Sequence, residues 1–132
     1  MTVDRAPLVF VHDRCATRNH RDRDMRLTGC HNWADSHGWV LAGRWLDLGD
    51  HALGAARPQL YSLIAAMRGE SERREVLCLV HNWSRLAHDT DERLEWQRRI
   101  AQDGGGWTAT TFGESDRRYR AAPAQARRAA DP

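Results

Sequence analysis

The stretch that decides the fold is Leu8-Val9-Phe10-Val11-His12-Asp13-Arg14-Cys15-Ala16-Thr17. It opens with large apolar residues, mostly β-branched or aromatic, that run straight into a polar turn. A short unbroken run of this kind reads as a strand covered on both faces, the sort found in parallel sheets. In open α/β sheets the working residues lie just past the C-terminal ends of the strands. Here that position holds His12 to Thr17, with Arg14 among them.

Working outward, Arg18 to Asp24 is charge-mixed with no apolar member and reads as a loop. From Met25, the residues Leu27, Cys30, Ala34 and His37 recur at helical spacing with Trp33 beside them, and Gly38 ends that helix. Trp39 to Leu46 is strand-like, and Asp47 to Ala56 is a loop. Arg57-Pro58 opens a second helix, since proline suits the first turn, and Leu60, Leu63, Ile64 and Met67 line one face. Gly69 to Arg74 is a charged connector. Glu75 to Val80 is the clearest continuous apolar strand, followed by His81-Asn82-Trp83-Ser84-Arg85. Thr90 can cap a third helix, with Asp91 and Glu92 favourable in its first turn. Leu94, Trp96, Ile100 and Ala101 recur along it, Gly104 to Gly106 breaks it, and Trp107 to Phe112 is a fourth strand.

This β-α-β-α-β-α-β order predicts an α/β fold in three layers: an open, mainly parallel sheet of four to five strands with helices on both faces. The expected domain spans 1–113. Residues 114–132, rich in Arg, Ala and Pro, read as a disordered tail.

Composition is ordinary for a soluble globular chain, with 41% hydrophobic and 29% charged residues. A net charge of +2 is too small to argue nucleic-acid binding from bulk charge. Every basic side chain is Arg, which coding bias in a GC-rich, bacterial genome explains better than selection for phosphate contacts. Cys15, Cys30 and Cys78 are odd in number and form no CxxC pair, so a reducing, cytoplasmic setting is expected. Neither a signal peptide nor a membrane span is visible. The six Trp residues are spread through separate elements and read as packing, with Trp83 in the turn after the third strand as the exception.

Taken in order, these pieces resemble the N-terminal catalytic domain of the serine recombinases, the resolvase/invertase family, from Leu8 to Phe112. The family's Tyr-x-Arg-x-Ser-Thr strand end stands here as His12-Asp13-Arg14-Cys15-Ala16-Thr17. Its first-helix Gln is Arg26, ahead of Gly38-Trp39. Its Asp-x-Gly-x-Ser-Gly appears as Asp47, Gly49, His51 and Ala52, its Arg-Pro as Arg57-Pro58, and its Asp-Arg-Leu-x-Arg as Ser84-Arg85-Leu86-Ala87-His88. The family's long dimerising helix and DNA-reading domain have no counterpart before Pro132.

The resemblance implies a serine hydroxyl that attacks a DNA phosphodiester while guanidiniums offset the phosphoryl charge. Ala16 stands at the serine position, and a methyl group has neither lone pair nor proton to give up. With Ser84, His88 and Arg26 also replacing family residues, the expectation is a pseudoenzyme without catalytic residues. It would serve as a binding or oligomerisation module, with a homodimer or a protein partner left open, no membrane partner and no cofactor. Arg14, Arg57 and Arg85 remain at family arginine positions and could hold a DNA phosphate or another anion weakly. Against this stands a purely structural reading, in which each arginine pairs locally with Asp13, Asp47 or Asp89. Two alternatives keep a chemical role. One is strand transfer through the hydroxyl of Thr17 or Ser84. The other is a metal held by His12, His51, His81 or His88 with Cys15, although no zinc signature is present and three arginines would repel a cation. A His-rich rim that changes charge below about pH 6.5 is the simpler account of those histidines.

Overall fold

The computed structural model describes residues 5–16, 20–52 and 56–117. Its elements are β1 (Leu8–Cys15), α1 (His20–Ser36), β2 (Val40–Leu48), α2 (Pro58–Glu70), β3 (Val76–Val80), α3 (Trp83–Leu86), α4 (Thr90–Gly104) and β4 (Trp107–Thr110). A single 3-10 turn, Gly49–Ala52, follows β2. The sheet is four-stranded in the order β2-β1-β3-β4, with every pair parallel. After β4 the chain turns at Gly113, and Asp116 folds back onto the strand. The Asp116 amide donates to the Thr108 carbonyl, and its carboxylate accepts from the Thr108 amide at 2.7 Å. Glu114–Arg117 of the expected tail are thus attached to β4, and 118–132 lie outside the described residues.

Alternation along the strands builds two cores. Phe10, Val76, Cys78 and Val80 face α2 and α4, where they meet Leu60, Leu63, Met67, Trp96 and Ile100. Val9, Val11, Leu77, Leu79, Trp107 and Ala109 face α1, against Leu27, Cys30 and Ala34. Helices therefore cover both faces of the sheet, and β1 and β3 are buried at its centre, as the unbroken apolar runs require. Between Val9 and Phe10 the β1–β2 register slips by one residue, leaving Ala42 unpaired as a bulge. The neighbouring Gly43 leaves room for the Trp45 indole, which a Cβ there would meet at 3.2 Å. That indole packs against Phe10 at 5.4 Å between ring centroids, the rings tilted by 33°.

Four sequence expectations change. The expected polar turn after Val11 is strand: β1 continues through Cys15, paired with β2 as far as Leu48, and His12, Asp13, Arg14 and Cys15 are all buried. Polar side chains inside a sheet look like a turn until their partners are known. The expected loop before Met25 is the start of α1, which begins at His20 with Asp22 in the favourable first turn. Its first residues face solvent and needed no apolar member. The cap of α4 is Asp89, not Thr90, with its carboxylate accepting from the Glu92 amide. The fourth strand ends at Thr110 rather than Phe112.

Candidate functional site

Alternation carries His12 and Arg14 to the α2 side of the sheet and Asp13 and Cys15 to the α1 side. Four buried polar residues follow from that geometry. His12 is fully buried, with Nε2 3.0 Å from Asp47 Oδ2. Asp47 also accepts the amides of Gln59 and Leu60, at 2.8 and 3.0 Å, and so caps the first turn of α2 from a neighbouring strand. Burial lowers the His12 pKa and outweighs the opposing pull of Asp47, so the imidazole is neutral. Burial works to raise the Asp47 pKa, but the His12 hydrogen bond and the two amides prevail and hold it below the ordinary carboxylate value.

On the same side Arg14 donates Nε and Nη2 to the Ser84 carbonyl, the first at 3.0 Å, and Nη1 to the Ala52 carbonyl at 3.4 Å. Arg57 is wholly buried at the start of α2 with a left-handed backbone, φ 36° and ψ 59°. It donates Nη1 to the Leu86 carbonyl, and its Nη2 lies 3.6 Å from Glu92 Oε1. Its Nε and Nη2 are buried without a hydrogen-bond partner among the described residues. Burial, then the charges of Arg57 and Arg85, pull the Arg14 pKa down to about 10. Burial also lowers that of Arg57.

Across β1, Arg26 of α1 clamps Asp13 with two hydrogen bonds, Nε–Oδ1 at 2.9 Å and Nη2–Oδ2 at 2.8 Å. Arg85 of α3 donates Nη1 to the Arg14 carbonyl at 2.9 Å. The short helix α3 is set by Asn82, whose side-chain oxygen accepts from the Arg85 amide and the Ser84 hydroxyl. Arg14 and Arg57 therefore sit on one face and Arg85 on the other, joined through the backbone of residue 14. A cavity of about 330 Å³ opens beside Arg85, lined by Asp22, Met25, Arg26, His81 and Asn82 as well.

The expected carboxylate pairing of the three arginines takes a different form. Asp13 is engaged by Arg26, Asp47 by His12, and Asp89 by the start of α4. Arg14 and Arg85 are held by carbonyl oxygens, which fix a guanidinium without neutralising its charge, and among the described residues Arg57 is the one of the three that approaches a carboxylate. Ala16 is exposed at the end of β1, and Thr17 lies outside the described residues. The hydroxyl of Ser84 donates to Asn82, not toward a base. His51 and His88 are exposed, whereas His12 is turned inward. Among the described residues no three His, Cys, Asp or Glu side chains are grouped as metal ligands, so the alternative of a histidine–cysteine cluster gains no support. Trp83 is half-buried against the core with the Arg93 guanidinium 5.1 Å above its ring, a packing role. Sequence reasoning missed Met25, and also Asp22, although Asp22 lies four residues before Arg26 on the same helix. It also missed Glu92 as the carboxylate nearest Arg57.

The fold has counterparts among solved structures. No protein-family model and no curated protein matches the sequence. The N-terminal catalytic domain of TP901-1 integrase superposes with a TM-score of 0.64 at 16% identity, over 83% of this chain and 81% of that one. The C-terminal catalytic domain of ISC1926 TnpA, an IS607-like serine recombinase, gives 0.63 at 14% identity, over 83% and 72%. A resolvase family site-specific recombinase from Streptococcus pneumoniae gives 0.67 at 17% identity, over 95% and 86%. The fold is that of a serine recombinase catalytic domain, of the resolvase type. No helix among the described residues is long and apolar enough to cross a membrane.

Proposed function

We propose that this chain is a catalytically inactive relative of the serine recombinases that binds an anion where its relatives break a phosphodiester. The observation that carries the reading is the split between what is lost and what is kept at the end of β1. Ala16, which the resemblance puts at the nucleophile's position, is an exposed methyl, while Arg14 keeps a full charge among carbonyls and beside Arg57 and Arg85. Covalent strand transfer needs an attacking oxygen, which alanine lacks. Charge–charge binding of a phosphate needs only the guanidiniums, whose planar donors suit phosphate oxygens.

Retaining a buried Arg14 opposed by the charges of Arg57 and Arg85, without retaining the nucleophile, is hard to explain by stability alone, because buried like charges destabilise. The partners on this reading are a DNA phosphate or another anion, held weakly, with a second copy of the chain or another protein completing the module. Incubation with nicked and supercoiled DNA followed by a denaturing gel is expected to show no covalent protein–DNA adduct. Titration with inorganic phosphate is expected to shift the NMR signals of Arg85 in the wild type and to shift them less in Arg14→Gln, which removes the neighbouring charge. An adduct, or a phosphate response unchanged in Arg14→Gln, overturns the reading.

A further inference from the structure

The 330 Å³ cavity lies at a particular place in the topology. From β1 the chain passes to β2 on one side of the sheet order, and β3 lies on the other side of β1. The order therefore reverses between β1 and β3, and the loops beyond those two strands part to opposite faces. Crevices at such switch points, outside the C-terminal strand ends, are where open α/β sheets take ligands. The cavity's lining comes from both sides of this point: Asp22, Met25 and Arg26 from α1, and His81, Asn82 and Arg85 from beyond β3.

The lining also restricts the ligand. Arg26 carries a charge that Asp13 already offsets, and two hydrogen bonds fix its plane. A flat, neutralised guanidinium is a stacking surface for an aromatic ring. Arg85 has no carboxylate partner among the described residues, and only its Nη1 is committed. Asn82 Nδ2 lies 3.2 Å from His81 Nδ1, so that nitrogen accepts, and the imidazole proton is left on Nε2 as a donor. Burial, then Arg26 and Arg85, lower the His81 pKa, as expected of a ring facing positive charge. Met25 adds an apolar surface at the mouth, 66% exposed. Asp22 completes the α1 wall of the cavity. The volume exceeds the share of about ten waters at roughly 30 Å³ each. It falls in the range of about 300–1,000 Å³ that small-molecule sites occupy.

We infer that this cavity binds a nucleoside monophosphate, with the phosphate on Arg85 and the His81 Nε2–H and the base against Arg26 and Met25. The inference rests on the anion-binding reading above and adds to it a ligand class and a second wall. Isothermal titration of the full chain with inorganic phosphate and with 5′-AMP separates the two. The wild type is expected to bind 5′-AMP at least about tenfold more tightly than phosphate, a difference of about 1.4 kcal/mol. Arg85→Gln is expected to weaken both. Met25→Trp replaces an exposed side chain, so the fold tolerates it, and its indole fills the mouth. It is expected to abolish the preference for 5′-AMP while leaving phosphate affinity within about twofold. Equal binding of the two probes by the wild type overturns the inference and leaves the anion pocket standing, as does a 5′-AMP preference that survives in Met25→Trp. Failure of both probes to bind removes the anion pocket as well.

Discussion

The His12–Asp47 pair has a thermodynamic consequence that reaches beyond its own contacts. The folded pKa of His12 lies below its ordinary 6.5, so the unfolded chain takes up a proton in a range where the native protein does not. Stability then rises with pH across that range and falls as pH drops below about 6.5. His81, lowered in the same direction, adds to the slope. Asp47 acts further down. Its folded pKa is depressed, so the stability it contributes is present above about pH 3.8 and is lost as pH falls through the folded value. Urea unfolding from pH 7.5 to 4.5 is expected to show a decline beginning near the histidine range. Each proton contributes a slope of at most about 1.4 kcal/mol per pH unit. His12→Phe keeps a ring of similar size without a titrating group, and Asp47 retains its two amide donors. That variant is expected to lose part of the slope above pH 5, and an unchanged slope would show that His12 is not the neutral buried group described.

Among the elements, the end of α4 and the start of β3 approach each other closely. Gly106 follows the left-handed Gly105 that ends the helix, and a Cβ on it would stand 2.2 Å from the Val76 carbonyl oxygen. Backbone cannot yield there without breaking β3 from its place at the sheet's centre. Gly106→Ala is expected to cost about 3 kcal/mol or more in chemical denaturation. Gly69, in the last turn of α2 with nothing within 4 Å, makes the control. There alanine is expected to stabilise by about 0.5 kcal/mol through helix propensity alone. A Gly106→Ala protein as stable as wild type would mean that the α4–β4 connection is looser than its geometry implies. The same elements show what a sequence makes legible. Leu8–Val11 and Val76–Val80 announced themselves as central parallel strands because burial on both faces leaves no polar position. Residues 12–15 did not, because a buried polar side chain differs from a turn residue only in having a partner, and those partners are 13 to 70 residues away. The start of α1 was hidden for the opposite reason, since its first turns face solvent and carry no apolar period. Arg14, Arg57 and Arg85 could be placed near one another from strand order, but not their carbonyl partners or their division between the two faces of the sheet.

Across the whole molecule the charge is nearly balanced at +2, yet the guanidiniums of Arg14, Arg26, Arg57 and Arg85 are gathered at one end of the sheet. Among the described residues Asp13 pairs with Arg26, and the half-exposed Glu92 lies 3.6 Å from Arg57. The fold therefore holds an electrostatic tension that the unfolded chain, with its arginines dispersed in water, does not share. An anion that binds only the native state relieves it and stabilises by mass action, by about 2.7 kcal/mol at a concentration one hundred times its Kd. For a domain of this size each kcal/mol moves Tm by about 2–8 °C. Sulfate is expected to raise Tm more than sodium chloride at equal ionic strength. Part of that rise is general, because sulfate is excluded from protein surfaces and favours any compact state. Arg14→Gln isolates the specific part. It removes one charge from the cluster while leaving the sulfate-excluding surface essentially unchanged, so the general contribution persists and the site-bound contribution disappears. A sulfate response in Arg14→Gln equal to that of the wild type would mean that the gathered arginines are held apart well enough to need no counter-ion. The anion pocket would then reduce to three separately satisfied side chains.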